Sequence, residues 1–125
     1  MAKTTAKLGE VQLQIMQVLW QKGAATAREI TDELSRRKPI AHSTVQTLLR
    51  KLETKGAVTH EMQDRTFVFR PVRQETEVTT TATRDLLARL FDNSVSGLVA
   101  HLLKHEKISR KELGELRRLI EESKP

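Results

Sequence analysis

Polar and basic side chains between residues 43 and 51 have the types and spacing that recognise nucleic acid. The candidates for base contacts are Thr44, Gln46, Thr47 and Arg50. Aliphatic residues occupy the opposite face at helical spacing, which separates a polar face from an apolar one. Gln pairs with the edge of adenine, Arg pairs with guanine or phosphate, and the Thr methyl group packs on thymine. The pattern therefore predicts a helix that contacts DNA bases; a solvated helix surface is the alternative.

Two further residues are candidates for phosphate contacts. Ser43 precedes the same segment in the motif Ser43-Thr44-Val45-Gln46, which predicts an N-cap and a capping box. A hydroxyl group at a helix N-terminus can also lie against phosphate. Arg65 follows a short polar turn, where we expect it to contact phosphate or simply to face solvent.

Metal binding and catalysis have little support in this sequence. His101 and His105 are four residues apart, so one helical face could present both to a metal ion. A third ligand at suitable spacing is missing, and surface histidines are the expected interpretation. The chain has no Cys or Tyr, and it lacks the nucleophile-elbow, zinc-protease and phosphate-loop motifs. We therefore expect no enzymatic activity, no metal and no cofactor.

Three helices are predicted in the first half of the chain. Apolar residues at intervals of three and four predict helices over 8–21, 26–38 and 43–55. Gly23 follows the first helix, where glycine commonly ends helices. Thr26-Ala27-Arg28-Glu29 is a capping-box motif at the start of the second helix.

The hydrophobic period changes to two from Ala57 onwards. This alternation predicts a β-hairpin over 57–71 with its tip near residues 63–65. Three helices followed by a hairpin is the order of a winged helix-turn-helix, in which the third helix enters the major groove of DNA. We therefore predict a winged-helix DNA-binding domain over residues 1–73, with double-stranded operator DNA as its partner.

Residues 74–125 predict a helical tail with apolar faces. The candidate interface residues are Val95, Leu98, Val99, Leu102, Leu103, Leu116 and Ile120. Short helices enclose little interior of their own, so these faces need a partner surface, most simply the same tail in a second subunit. We therefore predict a homodimer. Its fold class is mainly α with a small antiparallel β-hairpin: a winged helix-turn-helix plus a C-terminal helical dimerisation tail.

The basic charge is confined to the predicted DNA-binding domain. The net charge of the chain is +6; residues 1–73 hold 13 Lys and Arg against 7 Asp and Glu, whereas residues 74–125 hold 9 of each. A localised positive charge is typical of a domain that faces a polyanion, although a solvated basic surface is the alternative. Because the sequence has no membrane-length apolar run and no apolar leader, we expect a cytoplasmic protein without membrane insertion.

Two motifs in this sequence resemble those of the penicillinase repressor family. They are LGEVQLQIMQVLWQKG at 8–23 and STVQTLLRKLETKG at 43–56. The resemblance covers residues 8–122 and is weaker after Glu75. It implies a homodimer that binds an inverted-repeat operator and represses resistance, stress or metal-homeostasis genes.

The tail departs from the family pattern in two places. The copper-responsive branch carries a C-terminal Cys-x-Cys pair, and this chain has no Cys. The β-lactam branch is relieved when a membrane-bound sensor protease triggers cleavage of the tail at an Asn-Phe pair. The aligned pair here is His101-Leu102. The resemblance thus implies a sensor protease as upstream partner and marks these two residues as the candidate cleavage region.

Two other function classes remain open. A small-molecule-responsive winged-helix regulator would need a pocket beside the tail, and the tail has few aromatic residues to line one. A protein-interaction module could use the same scaffold without DNA. The basic face of the third helix argues against that module, because interface cores are depleted in charged residues.

Overall fold

The computed structural model describes residues 8–123, which form six helices and a small sheet. The helices are α1 (Glu10–Lys22), α2 (Ala27–Ser35), α3 (His42–Thr54), α4 (Glu75–Leu90), α5 (Val95–His105) and α6 (Arg110–Glu122). The strands are β1 (Ala25–Thr26), β2 (Val58–Gln63) and β3 (Thr66–Pro71), all antiparallel in the order β1-β3-β2. The predicted order of three helices and a hairpin is confirmed, as is the mainly α fold class.

The chain divides into two compact units between Ala82 and Thr83, within α4. The first seven residues belong to the predicted DNA-binding domain, and the last two belong to the predicted tail. All nine lie outside the described residues. The domain boundary after residue 73 stays a prediction. In the described part of the chain, no helix combines the length and apolar character needed to cross a membrane.

The first unit is built on an aliphatic core. Its buried members include Ile15, Met16 and Leu19 from α1, Ile30 from α2, Val45, Leu49 and Leu52 from α3, and Val58 and Phe69 from the hairpin. Gly23 ends α1 with a φ of +83°, and its N–H donates to the Leu19 carbonyl at 2.7 Å. Trp20 is half-buried, and its Nε1–H donates to the carbonyl of Arg73 at 2.8 Å.

Thr26 connects the start of α2 to the sheet. Its side chain accepts from the N–H of Glu29 at 3.1 Å, and the Glu29 carboxylate accepts from the Thr26 N–H at 2.8 Å. The predicted capping box is therefore confirmed. Thr26 also lies in β1, opposite Val68 of β3. This two-residue strand was not predicted, because two residues are too few to show a period of two.

The predicted capping box at Ser43 is wrong. Helix α3 begins one residue earlier, at His42, and its N-cap is Ala41, whose methyl group accepts no hydrogen bond. The carbonyl of Ala41 accepts from the N–H groups of Thr44 at 3.1 Å and Val45 at 3.2 Å. The extended backbone after Pro39 thus passes into helix at His42, which places Ser43 inside the first turn.

The C-terminal helices have local caps but no buried core. The Ser94 hydroxyl accepts from the N–H of Gly97 at 2.8 Å, and the Ser109 hydroxyl accepts from the N–H of Glu112 at 3.1 Å. Each serine therefore satisfies one free N–H at the start of its helix. Among the described residues from Gln74 to Ser123, none is buried.

Candidate nucleic-acid interface

Helix α3 separates its buried residues from a continuous polar face. Val45, Leu49 and Leu52 are fully buried against α1, α2 and the hairpin. The opposite side, here called the polar face of α3, consists of Ser43, Thr44, Gln46, Thr47, Arg50, Lys51 and Thr54. All seven residues are exposed. The structure thus brings the five predicted contact residues of this segment onto one accessible helix surface.

The electrostatics of the polar face favour a polyanion. Glu53 is the one acid in α3, and both of its carboxylate oxygens lie against Nδ1 of His60, at 2.8 and 2.9 Å. Within residues 8–123, Arg50 and Lys51 form no ion pair. Two basic side chains are therefore available to phosphate or base edges, while the acid is held by a partner in the hairpin.

A polar contact between α2 and α3 fixes the start of α3. The buried Thr31 hydroxyl donates to the carbonyl of Ala27 at 2.8 Å. Since that hydroxyl has one proton, its oxygen accepts the proton of His42 Nδ1, 3.2 Å away. His42 was not predicted as a site residue, because its role depends on a contact between helices. The contact joins the first turn of α3 to α2.

The hairpin presents its tip to solvent. Asp64 and Arg65 form the turn with φ of 48° and 68°, the left-handed geometry of a two-residue hairpin turn. Neither residue is glycine, so the turn lacks the Asn-Gly or Asp-Gly motif that most clearly predicts a hairpin. Arg65 is exposed at the tip and, in the described chain, has no acidic partner. The placement suits a contact with a nearby phosphate.

Lys51 is a candidate contact that the sequence prediction did not choose. It lies on the exposed side of α3 and, with Thr47 and Arg50, lines a groove beside the first turn of α1. The helical period already placed Lys51 on the polar side, so a sequence signal existed.

The predicted tail residues lie on α5 and α6, within the second unit. Leu98 and Leu116 are half-buried, whereas the other predicted interface residues are exposed, Val95 by 64% and Ile120 by 66%. Leu113, which shares the predicted apolar face of α6 with Leu116 and Ile120, is exposed as well. Further exposed apolar side chains that were not predicted as interface residues are Leu86 and Leu90 of α4 and Leu119 of α6. The second unit thus carries an apolar surface larger than the one predicted.

The histidines of α5 pack on each other and on a neighbouring ring. The ring centroids of His101 and His105 are 4.5 Å apart, and the rings of His101 and Phe91 form a T-shaped pair with centroids 5.6 Å apart. Within residues 8–123, no group of three or more metal-ligating side chains comes together. His101 and Leu102, the candidate cleavage pair, are both exposed and helical.

Three packed helices, a small antiparallel sheet and an exposed hairpin beside a polar helix face define a winged-helix protein. The sequence profile described as Penicillinase repressor matches residues 8–122. This chain belongs to the penicillinase repressor family, a family of transcriptional repressors. The resemblance drawn from the two sequence motifs is therefore confirmed.

Known relatives match nearly the whole chain. The penicillinase repressor of Bacillus licheniformis is 28% identical over 122 residues, which cover 98% of this chain and 95% of the relative. The transcriptional regulator BlaI of Mycobacterium tuberculosis is 32% identical over 124 residues, covering 98% and 88%. The solution structure of Bacillus licheniformis BlaI, in monomeric form with the blaP half-operator, matches with a TM-score of 0.50 and 30% identity. That match covers 58% of this chain and 88% of the BlaI chain.

Proposed function

We propose that this chain is a transcriptional repressor that binds operator DNA through the polar face of α3. Thr44, Gln46, Thr47 and Arg50 contact base edges, while Ser43 and Arg65 contact phosphates. The observation that carries the proposal is the exposed polar face on which Arg50 and Lys51 have no acidic partner among the described residues. The related BlaI solved with its half-operator supports the same partner.

A gel-shift titration with the DNA upstream of the gene tests this function. Saturable, discrete complexes are expected, and they should resist competition by unrelated DNA. If a dimer neutralises about 8 phosphates, the logarithm of the binding constant should fall with the logarithm of salt concentration with a slope of about −7. A slope shallower than about −3 with specificity retained would contradict this electrostatic account.

We further propose a homodimer that engages two half-sites of an inverted repeat, about one helical turn apart. The support is the exposed apolar surface of the second unit, which is the kind of surface that a second subunit covers. Leu102→Asp places a charge in that surface and should give monomers in analytical ultracentrifugation. Ser96→Asp adds the same charge at an exposed polar position of α5 and should leave the dimer intact. Dimers that persist in the Leu102 variant would place the interface elsewhere.

We propose that the repressor acts in the cytoplasm on resistance or stress genes and is released by cleavage near His101-Leu102. A membrane sensor protease is the upstream partner that the family resemblance implies. Both residues are helical in α5, so a protease must first unfold this segment locally. Mass spectrometry of the chain from induced cells should find a fragment ending within α5. An intact chain in induced cells would contradict this route.

A further inference from the structure

The single acid of α3 forms the closest polar contact between α3 and the hairpin. Nδ1 of His60 in β2 lies 2.8 and 2.9 Å from the two carboxylate oxygens of Glu53. Because a carboxylate only accepts hydrogen bonds, the histidine proton sits on Nδ1.

The His60 ring joins this contact to both strands of the hairpin. It stacks on Phe67 of β3 with centroids 4.1 Å apart and planes 21° apart, and its centroid lies 5.5 Å from that of Phe69. Phe69 is the cross-strand neighbour of His60 and belongs to the buried core. The His60 side chain thus connects α3, the core and the outer half of the hairpin, residues 61–67.

The outer half of the hairpin depends on how its inner half is held. Residues 61–67 are all exposed, and Arg65 lies at their turn. We propose that Glu53 and His60 are positioning residues that set the angle of the hairpin to α3. At that angle, Arg65 contacts a phosphate while the polar face of α3 occupies the major groove. This inference rests on the proposed DNA-binding function.

Replacing Glu53 distinguishes a positioning role from simple electrostatics, because the two accounts predict opposite changes in DNA affinity. Glu53 is negative and lies on the helix that faces DNA, so electrostatics alone predicts that Glu53→Ala strengthens binding to a polyanion. A positioning role predicts the opposite, because the freed hairpin loses its ordered phosphate contact. We expect Glu53→Ala to weaken binding by about threefold to tenfold, and Arg65→Ala to weaken it similarly.

A double-mutant cycle tests the inference with full-length protein and a fluorescent duplex from upstream of the gene. Combining Glu53→Ala with Arg65→Ala should weaken binding no further than Arg65→Ala alone, because both remove the same contact. In the parent protein, Arg65→Ala should also reduce the slope of the logarithm of the binding constant against the logarithm of salt concentration. In the Glu53→Ala variant, the same substitution should leave that slope unchanged. Asp32→Ala removes an exposed acid of α2 and should leave affinity unchanged or slightly higher.

The conservative variant Glu53→Gln keeps a carbonyl oxygen that can accept the His60 proton. It should therefore bind DNA with an affinity within about twofold of the parent. This variant also serves as the test if Glu53→Ala folds poorly. Tighter binding by Glu53→Ala, or losses that add in the double variant, would overturn the inference. If the parent protein does not bind the duplex, the proposed function itself fails. If it binds and the losses add, only the positioning role fails.

Discussion

The two units of this chain differ in how many apolar side chains they bury. The first unit buries aliphatic side chains from three helices and the sheet, with Ile15, Leu19, Leu49 and Leu52 fully buried. The described residues of the second unit bury none, although α5 and α6 carry many Leu, Val and Ile side chains. Since burial of apolar surface is the main favourable term in folding, the first unit supplies its own stability and the second does not.

This difference assigns a separate task to each unit. A stable core holds α3 rigid, so the unit that faces DNA presents a preformed surface. The second unit has no buried residue among those described, and its helix caps at Ser94 and Ser109 do not replace a core. A cap contributes about 1 kcal/mol, which is far less than a core supplies. If the proposed dimer forms through the second unit, repression can be controlled at assembly without altering the polar face of α3.

Removing the second unit should have the largest effect on DNA binding. A chain ending at Ala82 keeps every buried residue, including Arg73, whose carbonyl accepts from Trp20. We expect it to unfold cooperatively, yet to bind the operator about 10²–10⁴-fold more weakly, because the second half-site no longer binds at high effective concentration. Quantitative footprinting at physiological salt measures the loss. Equal affinity of the two chains would show that the tail is not needed for repression.

Truncating a buried side chain should have the next largest effect. Leu49→Ala leaves a cavity in the first unit and should lower its free energy of unfolding by about 2–5 kcal/mol. In the chain ending at Ala82, this loss should not depend on protein concentration. Leu103→Ala removes a half-exposed leucine of α5, and in the full-length protein its effect should grow on dilution. Denaturation at two protein concentrations measures both effects. A Leu103→Ala effect that stays the same on dilution would contradict the contrast between the two units.

Substitutions on the polar face of α3 should act on DNA binding alone. Arg50→Ala and Gln46→Ala should each weaken operator binding by about 1–3 kcal/mol at a well-contacted base. Both side chains are exposed, so the melting temperature should not change. Arg84→Ala removes the same charge from an exposed site in the second unit and serves as the control. Unchanged operator affinity in both α3 variants would show that another face contacts the bases.

The sequence predicted the long elements well because each has many residues that follow one period. Helices α1 and α3 each follow the helical period over 13 residues, and α2 follows it over nine. Each strand of the hairpin has six residues. Strand β1 was not predicted, because its two residues form a strand by pairing with the distant β3 and not by a local sequence pattern. The hairpin turn gave little signal because Asp64 and Arg65 adopt positive φ without glycine.

The residues of the candidate site were predicted from their types and spacing, whereas the contacts that support them were not predicted. Helical spacing was sufficient to place Gln46 and Arg50 on an exposed face. The contacts of His42 with Thr31 and of His60 with Glu53 join residues 11 and 7 positions apart, and no periodic pattern encodes them. The error at Ser43 has a related cause, because a capping-box motif can lie one residue inside the helix that it is expected to start.

Helix caps should give the smallest measurable effects and refine the comparison within the first unit. Thr26→Ala removes a side-chain acceptor for the N–H of Glu29 and should lower the free energy of unfolding by about 1 kcal/mol. Ser43→Ala removes a hydroxyl inside the first turn of α3, where it caps nothing, and should change stability by less than about 0.5 kcal/mol. Urea denaturation of the chain ending at Ala82 measures both values without a contribution from assembly. A Ser43 effect as large as the Thr26 effect would mean that the serine caps α3 in solution and that the helix begins two residues later, at Thr44. The same Ser43→Ala variant should weaken operator binding if its hydroxyl contacts phosphate, so stability and affinity together separate the two roles.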